Sequence, residues 1–240
     1  MHRSVLLLLA AYVLALLGGF MLGAWYVAEL SGRKAMVYAA AVKSEGGGTL
    51  VKIYAEVRPG SGRVLLTVEP KTELDTQESA EIAAHVAQEL AGTPLLFHDI
   101  VFTIRAPTVI VGGPSAGAAM AVAAYAALTG RAPRKDVVVT GELLPDGSIG
   151  PVGGLAEKLE ACAKSGVRVF LIPRGERYIR VPELVRRKYS PAPGVLVVRT
   201  ETRYRTVDLV EEGRKMGVAV VEVSHIREVL PYFFSPGRAS

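Results

Sequence analysis

Residues Ala116 to Leu128 run Ala-Gly-Ala-Ala-Met-Ala-Val-Ala-Ala-Tyr-Ala-Ala-Leu, with no charge in any position. A run that apolar and that long makes a helix with no side for water, so the rest of the chain must close around it. Gly130 supplies the left-handed residue that commonly ends a helix. The 240 residues, half of them hydrophobic, are enough for one substantial core. Immediately before the run stands Gly112-Gly113-Pro114-Ser115. Glycine and proline make a tight loop there, where backbone can come close to a substrate. Ser115 then falls at the helix N-terminus, where unpaired N–H groups and the positive end of the dipole can meet a developing oxyanion. Pro114 has no N–H, so an oxyanion hole would use the Ser115 amide and a second donor that the sequence does not identify.

A serine hydroxyl is a weak nucleophile and needs a base beside it. Downstream lie Thr140-Gly141-Glu142 and then Gly153-Gly154-Leu155-Ala156-Glu157-Lys158. Lysine serves as the base when its amine is neutral, and burial away from carboxylates lowers its pKa in that direction. The spacing predicts a helix over Leu155–Lys164 with Leu155, Leu159 and Cys162 on its apolar face. Lys158 borders that face. Plainer readings exist for each residue. Gly-Pro-Ser before a helix often makes only an N-cap. A lone lysine on a helix is usually solvated. Thr140 suits a strand, and Glu142 suits a local structural hydrogen bond better than a catalytic acid.

Taken together, Gly113-Pro114-Ser115-Ala116-Gly117, Ala127 to Arg131, Asp136-Val137, Thr140-Gly141-Glu142, Gly150 to Leu155 with Glu157-Lys158, and Leu171-Ile172-Pro173 resemble the proteolytic domain of Lon proteases (peptidase family S16) in order, spacing and residue type. The resemblance is very specific over 112–173 and looser from Val37 to Phe234. It implies an α+β fold of the Lon proteolytic-domain type (ribosomal protein S5 domain 2-like). It implies Ser115 as nucleophile, Lys158 as base and Thr140 as the lysine's hydrogen-bond partner, with Gly113, Pro114, Gly153, Gly154 and Glu142 in support. The first lysine of the family's Gly-Gly-Leu-Lys-Glu-Lys box is Ala156 here, which leaves Lys158 as the candidate. Many bacterial members carry histidine at the position of Thr103 and aspartate at that of Gly112; neither departure touches the dyad. The resemblance also implies a homo-oligomer, since Lon-like domains commonly form six-membered rings. Lon proteases fuse an ATPase to this domain, but no Gly-x-x-x-x-Gly-Lys-[Ser/Thr] loop occurs in these residues. The expectation is therefore ATP-independent cleavage of peptides or unfolded segments through an acyl-enzyme, or reliance on a separate unfoldase. No cofactor or metal is expected. Other classes are a non-proteolytic scaffold on the same fold, which usually loses the serine or the lysine, and a tethered protease that processes one dedicated partner.

Val5 to Ala28 carry no charge and exceed the roughly 20 residues that a spanning helix needs. Trp25 and Tyr26 near its end suit a membrane interface. The run is longer than the core of a cleaved signal, so residues 1–28 are expected to be a single-pass anchor or uncleaved signal. Residues 29–36 form a tether, 37–234 the protease domain and 235–240 a tail. Lys and Arg counts slightly favour a cytoplasmic domain, whereas relatives with such a leader are mostly archaeal and face outwards; an extracytoplasmic domain is the expectation. The chain has no asparagine and little glutamine, a thermophile-like composition. Its net charge of +5 is scattered, without a basic patch interleaved with aromatics, so nucleic acid is not an expected partner. The densest group, Arg186-Arg187-Lys188, reads as a solvated helix end. One cysteine and four dispersed histidines suggest no disulfide and no metal set. A Ser-His-Asp arrangement using His98 and Asp99 competes poorly with the lysine, and His85 and His225 read as structural.

For the remaining chain, Val37–Lys43, Leu50–Arg58 and Val64–Glu69 read as an antiparallel meander. A helix over Asp75–Ala91 is capped by Thr72 or Asp75, and strands follow at Ile100–Arg105, Val137–Thr140 and Val167–Ile172. Residues at about 174–216 depart most from the family and form an insertion that shapes substrate access. It is expected to hold a charged helix near Pro182–Lys188, a turn at 191–193, a strand Val195–Arg199 and a helix near Val207–Met216. A strand Val218–Val223 and a helix from His225 close the chain.

Overall fold

The computed structural model describes residues 2–69, 75–108, 113–192 and 195–234. Thr72, Gly112, Pro193 and the 235–240 tail fall outside them. The first helix, α1 (His2–Leu30), contains a stretch, Ala11–Leu30, that is long and apolar enough to cross a membrane. Most of that stretch is exposed, and Leu30 at its end is buried against the sheet that follows.

A four-stranded sheet follows, built from β1 (Lys34–Val42), β2 (Gly48–Pro59), β3 (Val64–Glu69) and β4 (His98–Arg105). Its order is β1-β2-β4-β3. The meander is therefore wrong beyond its first hairpin. β1 and β2 pair antiparallel, but β3 pairs only with β4, and in parallel. The reason is the helix α2 (Asp75–Ala91) between them, which carries the chain back over the sheet as a crossover. β3 sits at the edge with alternate residues exposed. The turn before it is held by Asp99, whose carboxylate accepts the Ser61 and Arg63 amides at 2.8 and 2.9 Å and two Arg63 guanidinium bonds at 3.1 and 2.8 Å. The Arg63 guanidinium lowers the Asp99 pKa to about 2. A side chain at Gly60 would collide with that carboxylate.

The inner sheet face, with Val37, Ile53, Val57 and Phe102, packs on α2 and on α3 (Gly117–Thr129). Every residue of α3 from Gly117 to Leu128 is buried except Tyr125, so the helix is enclosed as its sequence requires. Gly130 ends it with φ of 70°. A second sheet has the order β11-β8-β5, all parallel: β5 (Val137–Val139), β8 (Val169–Pro173) and β11 (Ala219–Val223). α4 (Leu155–Lys164) packs Leu155, Leu159 and Cys162 on it, with Phe170, Ile172 and Leu209, the last from α5 (Leu209–Lys215). A small hairpin of β6 (Glu142–Leu143) and β7 (Ile149–Gly150) links the two layers, and α6 (Ile226–Phe234) closes the chain.

The helix expected near Pro182–Lys188 is absent. That segment belongs to β9 (Tyr178–Ala192), paired antiparallel with β10 (Val195–Asp208) in a long two-stranded ribbon. Val181, Val185, Tyr189 and the valines of 195–198 favour extended chain, and Pro182 opposes a helix interior. At its root Arg177 grips Asp208 by bonds of 2.7–3.1 Å, and Asp208 caps α5 by accepting Val210 and Glu211 amides.

Candidate active site

Ser115 lies in a 3₁₀ turn, Pro114–Ala116, that runs directly into α3. Gly113 has φ of 145°, which a side chain would strain, so glycine is needed to deliver the chain to Pro114. Ser115 is half-buried and is not the N-cap of α3; Ala116 holds that place without a side-chain bond. The plain capping reading of Ser115 thus finds no bond in its support.

Lys158 is buried, with 3 % exposure, although it is the fourth residue of a helix. The register of α4 explains this. Gly154 precedes it at φ 70°, and a side chain there would run into Val42, so the first turn lies hard against β1. The Lys158 amine reaches across to β5 and donates to Thr140 Oγ1 at 3.1 Å. Thr140 is itself 1 % exposed, and its hydroxyl donates to the Ser115 carbonyl at 3.4 Å. The Lys158 amine, the Thr140 hydroxyl and the Ser115 backbone therefore form one chain. No direct hydrogen bond joins Ser115 Oγ to Lys158 Nζ among the described residues. Burial lowers the Lys158 pKa from 10.5 to about 8, against a smaller upward pull from the charge of Glu157 and from Cys162. A neutral amine is thus accessible near neutral pH, which a solvated lysine could not offer.

Gly141 is a contributor that sequence reading passed over. Its amide donates to the Ser115 carbonyl at 3.0 Å, and its own carbonyl accepts the Ala118 amide at 3.3 Å. A side chain at Gly141 would strike Ile149. The Thr140-Gly141 pair therefore clamps the Ser115 backbone as well as the lysine; its adjacency in sequence was the available signal. Glu142, half-buried, borders a cleft of about 320 Å³ with Pro114, Ser79, Ile82, Leu143 and Leu144, next to Ser115 in the chain. Gly153 is exposed at the approach to α4.

The other candidates lie elsewhere in roles of their own. Asp99 is committed to the turn at Arg63. His225 Nε2 lies 3.0 Å from the Asp146 carbonyl, and its Nδ1 accepts the Arg227 amide. His85 is exposed beside Glu89. Burial drives the Cys162 thiol up to about 12, which keeps it protonated and a poor nucleophile. Among the described residues no group of three or more His, Cys, Asp or Glu side chains could hold a metal.

Residues 28–193 match the family of the Lon protease (S16) C-terminal proteolytic domain. Similar proteins include a Lon protease of Phenylobacterium zucineum, 39 % identical over 137 residues, covering 55 % of this chain and 17 % of that one. A Lon protease of Roseiflexus castenholzii is 32 % identical over 196 residues, covering 79 % of this chain and 21 % of that one. The Lon protease 2 of Syntrophobacter fumaroxidans is 40 % identical over 131 residues, or 53 % and 17 % of the two chains. The matched part of this chain thus spans about a fifth of the length of these relatives. The chain belongs to the Lon protease (S16) C-terminal proteolytic domain family, whose chemistry is that of a serine peptidase.

Proposed function

We propose that this protein is an ATP-independent serine endopeptidase in which Ser115 attacks the peptide carbonyl and Lys158 is the general base. The observation that carries the reading is the buried Lys158 amine on Thr140 Oγ1, with Thr140 in turn on the Ser115 carbonyl. Neutral Lys158 takes the Ser115 proton as Oγ attacks. The tetrahedral intermediate collapses to an acyl-enzyme, and Lys158 gives its proton to the leaving amine. Neutral Lys158 then deprotonates the water that attacks the acyl group, and returns that proton to Ser115 Oγ as the acid product leaves. Thr140 positions the amine, and the Ser115 amide at the start of α3 is one donor to the oxyanion. Apo hydrogen bonds in catalytic groups are often long, so the missing direct Ser115–Lys158 bond is compatible with closure on substrate.

The proposed substrates are peptides or unfolded segments, cleaved without nucleotide, alone or fed by a separate unfoldase. The apolar stretch of α1 supports a single-pass membrane anchor; an archaeal type and a protease domain outside the cytoplasm are part of the same proposal. A homo-oligomeric ring accords with the family. The test is hydrolysis of unstructured fluorogenic peptides by the full chain in neutral detergent, without nucleotide. Ser115→Ala and Lys158→Ala should each abolish it. Activity that persists in Lys158→Ala would remove the lysine from the base's role.

A further inference from the structure

The β9–β10 ribbon takes no part in the dyad, yet it concentrates the chain's positive charge. Residues 178–207 hold seven Lys and Arg against two Glu, a surplus equal to the net charge of the whole protein. In the body of the domain, arginines such as Arg58, Arg63, Arg134 and Arg177 each hold a carboxylate. On the ribbon, among the described residues, only Arg199 does, with Glu201. Arg180, Arg186, Arg187, Arg203 and Arg205 have no ion pair among the described residues, so their charge is open to a partner.

The ribbon's faces differ. The register places Glu183 opposite Arg203 and Glu201 opposite Val185, both acids on one face. The other face carries Arg180, Leu184, Arg186 and Tyr204, all exposed, and no acid beyond Asp208 at the root, which Arg177 already engages. Basic and apolar side chains of β9 thus share an extended surface with Thr200, Thr202, Tyr204 and Thr206 of β10. At the root, Arg180 and Pro182 line a groove of about 270 Å³ with Gly153, Gly154 and Glu157, the residues that lead into the Lys158 helix. Glu157 and Glu176 outnumber Arg180 there, so the groove keeps a net negative charge.

We propose that this ribbon face is a docking site for acid-rich, unfolded polypeptide segments, which it delivers to the dyad. The delivery step rests on the peptidase reading given above; the docking step does not. Charge complementarity holds the acidic part on the ribbon, while the carboxylates of the groove require that the stretch passing them be uncharged. A lipid surface fits less well. α1 joins the start of β1, whereas the ribbon's root lies by Gly154 and Val42 at the other end of that strand, about 27 Å away for nine residues at strand rise.

The test is anisotropy titration of two labelled, unstructured peptides with the full-length Ser115→Ala protein in neutral detergent. One peptide is rich in Glu and Asp; the other has Gln and Asn in their place. The acidic peptide should bind about tenfold tighter, and that advantage should vanish with Arg180→Glu/Arg186→Glu or with added salt. Arg180→Lys/Arg186→Lys should retain it, which separates lost charge from lost folding. Equal affinity for both peptides, or affinity untouched by the double reversal, overturns the proposal. So does a double reversal that abolishes binding to phosphatidylserine vesicles, or self-association, while leaving peptide binding intact. Because Ser115→Ala reads binding alone, failure of the native chain to cleave would count against the peptidase reading and not against the docking site.

Discussion

Lys158 is the residue on which the account turns, because its burial has two measurable consequences. With a pKa near 8, the fraction of neutral amine grows tenfold per pH unit below that value. We expect kcat/KM for an uncharged peptide to rise with unit slope and level off above about pH 8. The second consequence concerns stability. A base whose folded pKa lies below its unfolded value is destabilising while protonated, and folding stability then climbs with pH between the two values. For Lys158 that window runs from about 8 to 10.5. Lys158→Met should therefore raise the melting temperature at pH 7, by an amount on the order of 2–3 kcal/mol in stability, with the gap closing above pH 8. Thermal melts of the two proteins across pH check it; an equal gap at pH 7 and pH 10.5 would contradict the buried charge. Thr140 acts through the lysine. Thr140→Val keeps the shape and removes the hydroxyl, so kcat should fall by about 10- to 100-fold with little change in KM. Thr140→Ser should restore most of it, and the pH profile of the valine variant should shift, which a purely structural residue would not cause.

At the scale of elements, α3 and α4 were legible because their signals are local. α3 announces itself by an uncharged run of small residues closed by Gly130, and α4 by the spacing of Leu155, Leu159 and Cys162. Both yield predictions. Ala123 is fully buried in α3, so Ala123→Leu should overpack the core and cost about 1–3 kcal/mol in denaturant unfolding. Gly154→Ala would strain a φ of 70° and collide with Val42. It should lower kcat by tilting the first turn of α4 and moving the Lys158 amine, with a smaller effect on the melting temperature than Ala123→Leu. What the sequence concealed was pairing. A strand's own residues do not say which neighbour it takes, so β3 read as the third strand of a meander when α2 in fact carries the chain on to β4, which takes the central place. Pro182–Lys188 read as a helix because a charged stretch can serve as a solvated helix or as an exposed ribbon. Its β-branched neighbours decided the matter only once β10 was there to pair with it. The Gly141 clamp on Ser115 was hidden for the same reason, since it is a contact between segments 26 residues apart.

The whole molecule places three features along its length. The apolar helix α1 lies at one end of β1, Lys158 and Thr140 meet behind Ser115, and the basic ribbon stands beyond the Lys158 helix. Proteolysis by such an arrangement needs only that an unfolded chain reach Ser115 and that Lys158 be neutral when it arrives. The acyl-enzyme is the species in which these requirements meet. The decisive measurement is rapid-quench mass spectrometry of the full chain mixed with an activated peptide ester, without nucleotide, with peptide mapping of the adduct. The account predicts a single acyl group on Ser115, absent in Ser115→Ala and formed far more slowly in Lys158→Ala. Acylation at another residue, or hydrolysis that continues undiminished in Ser115→Ala, would contradict it.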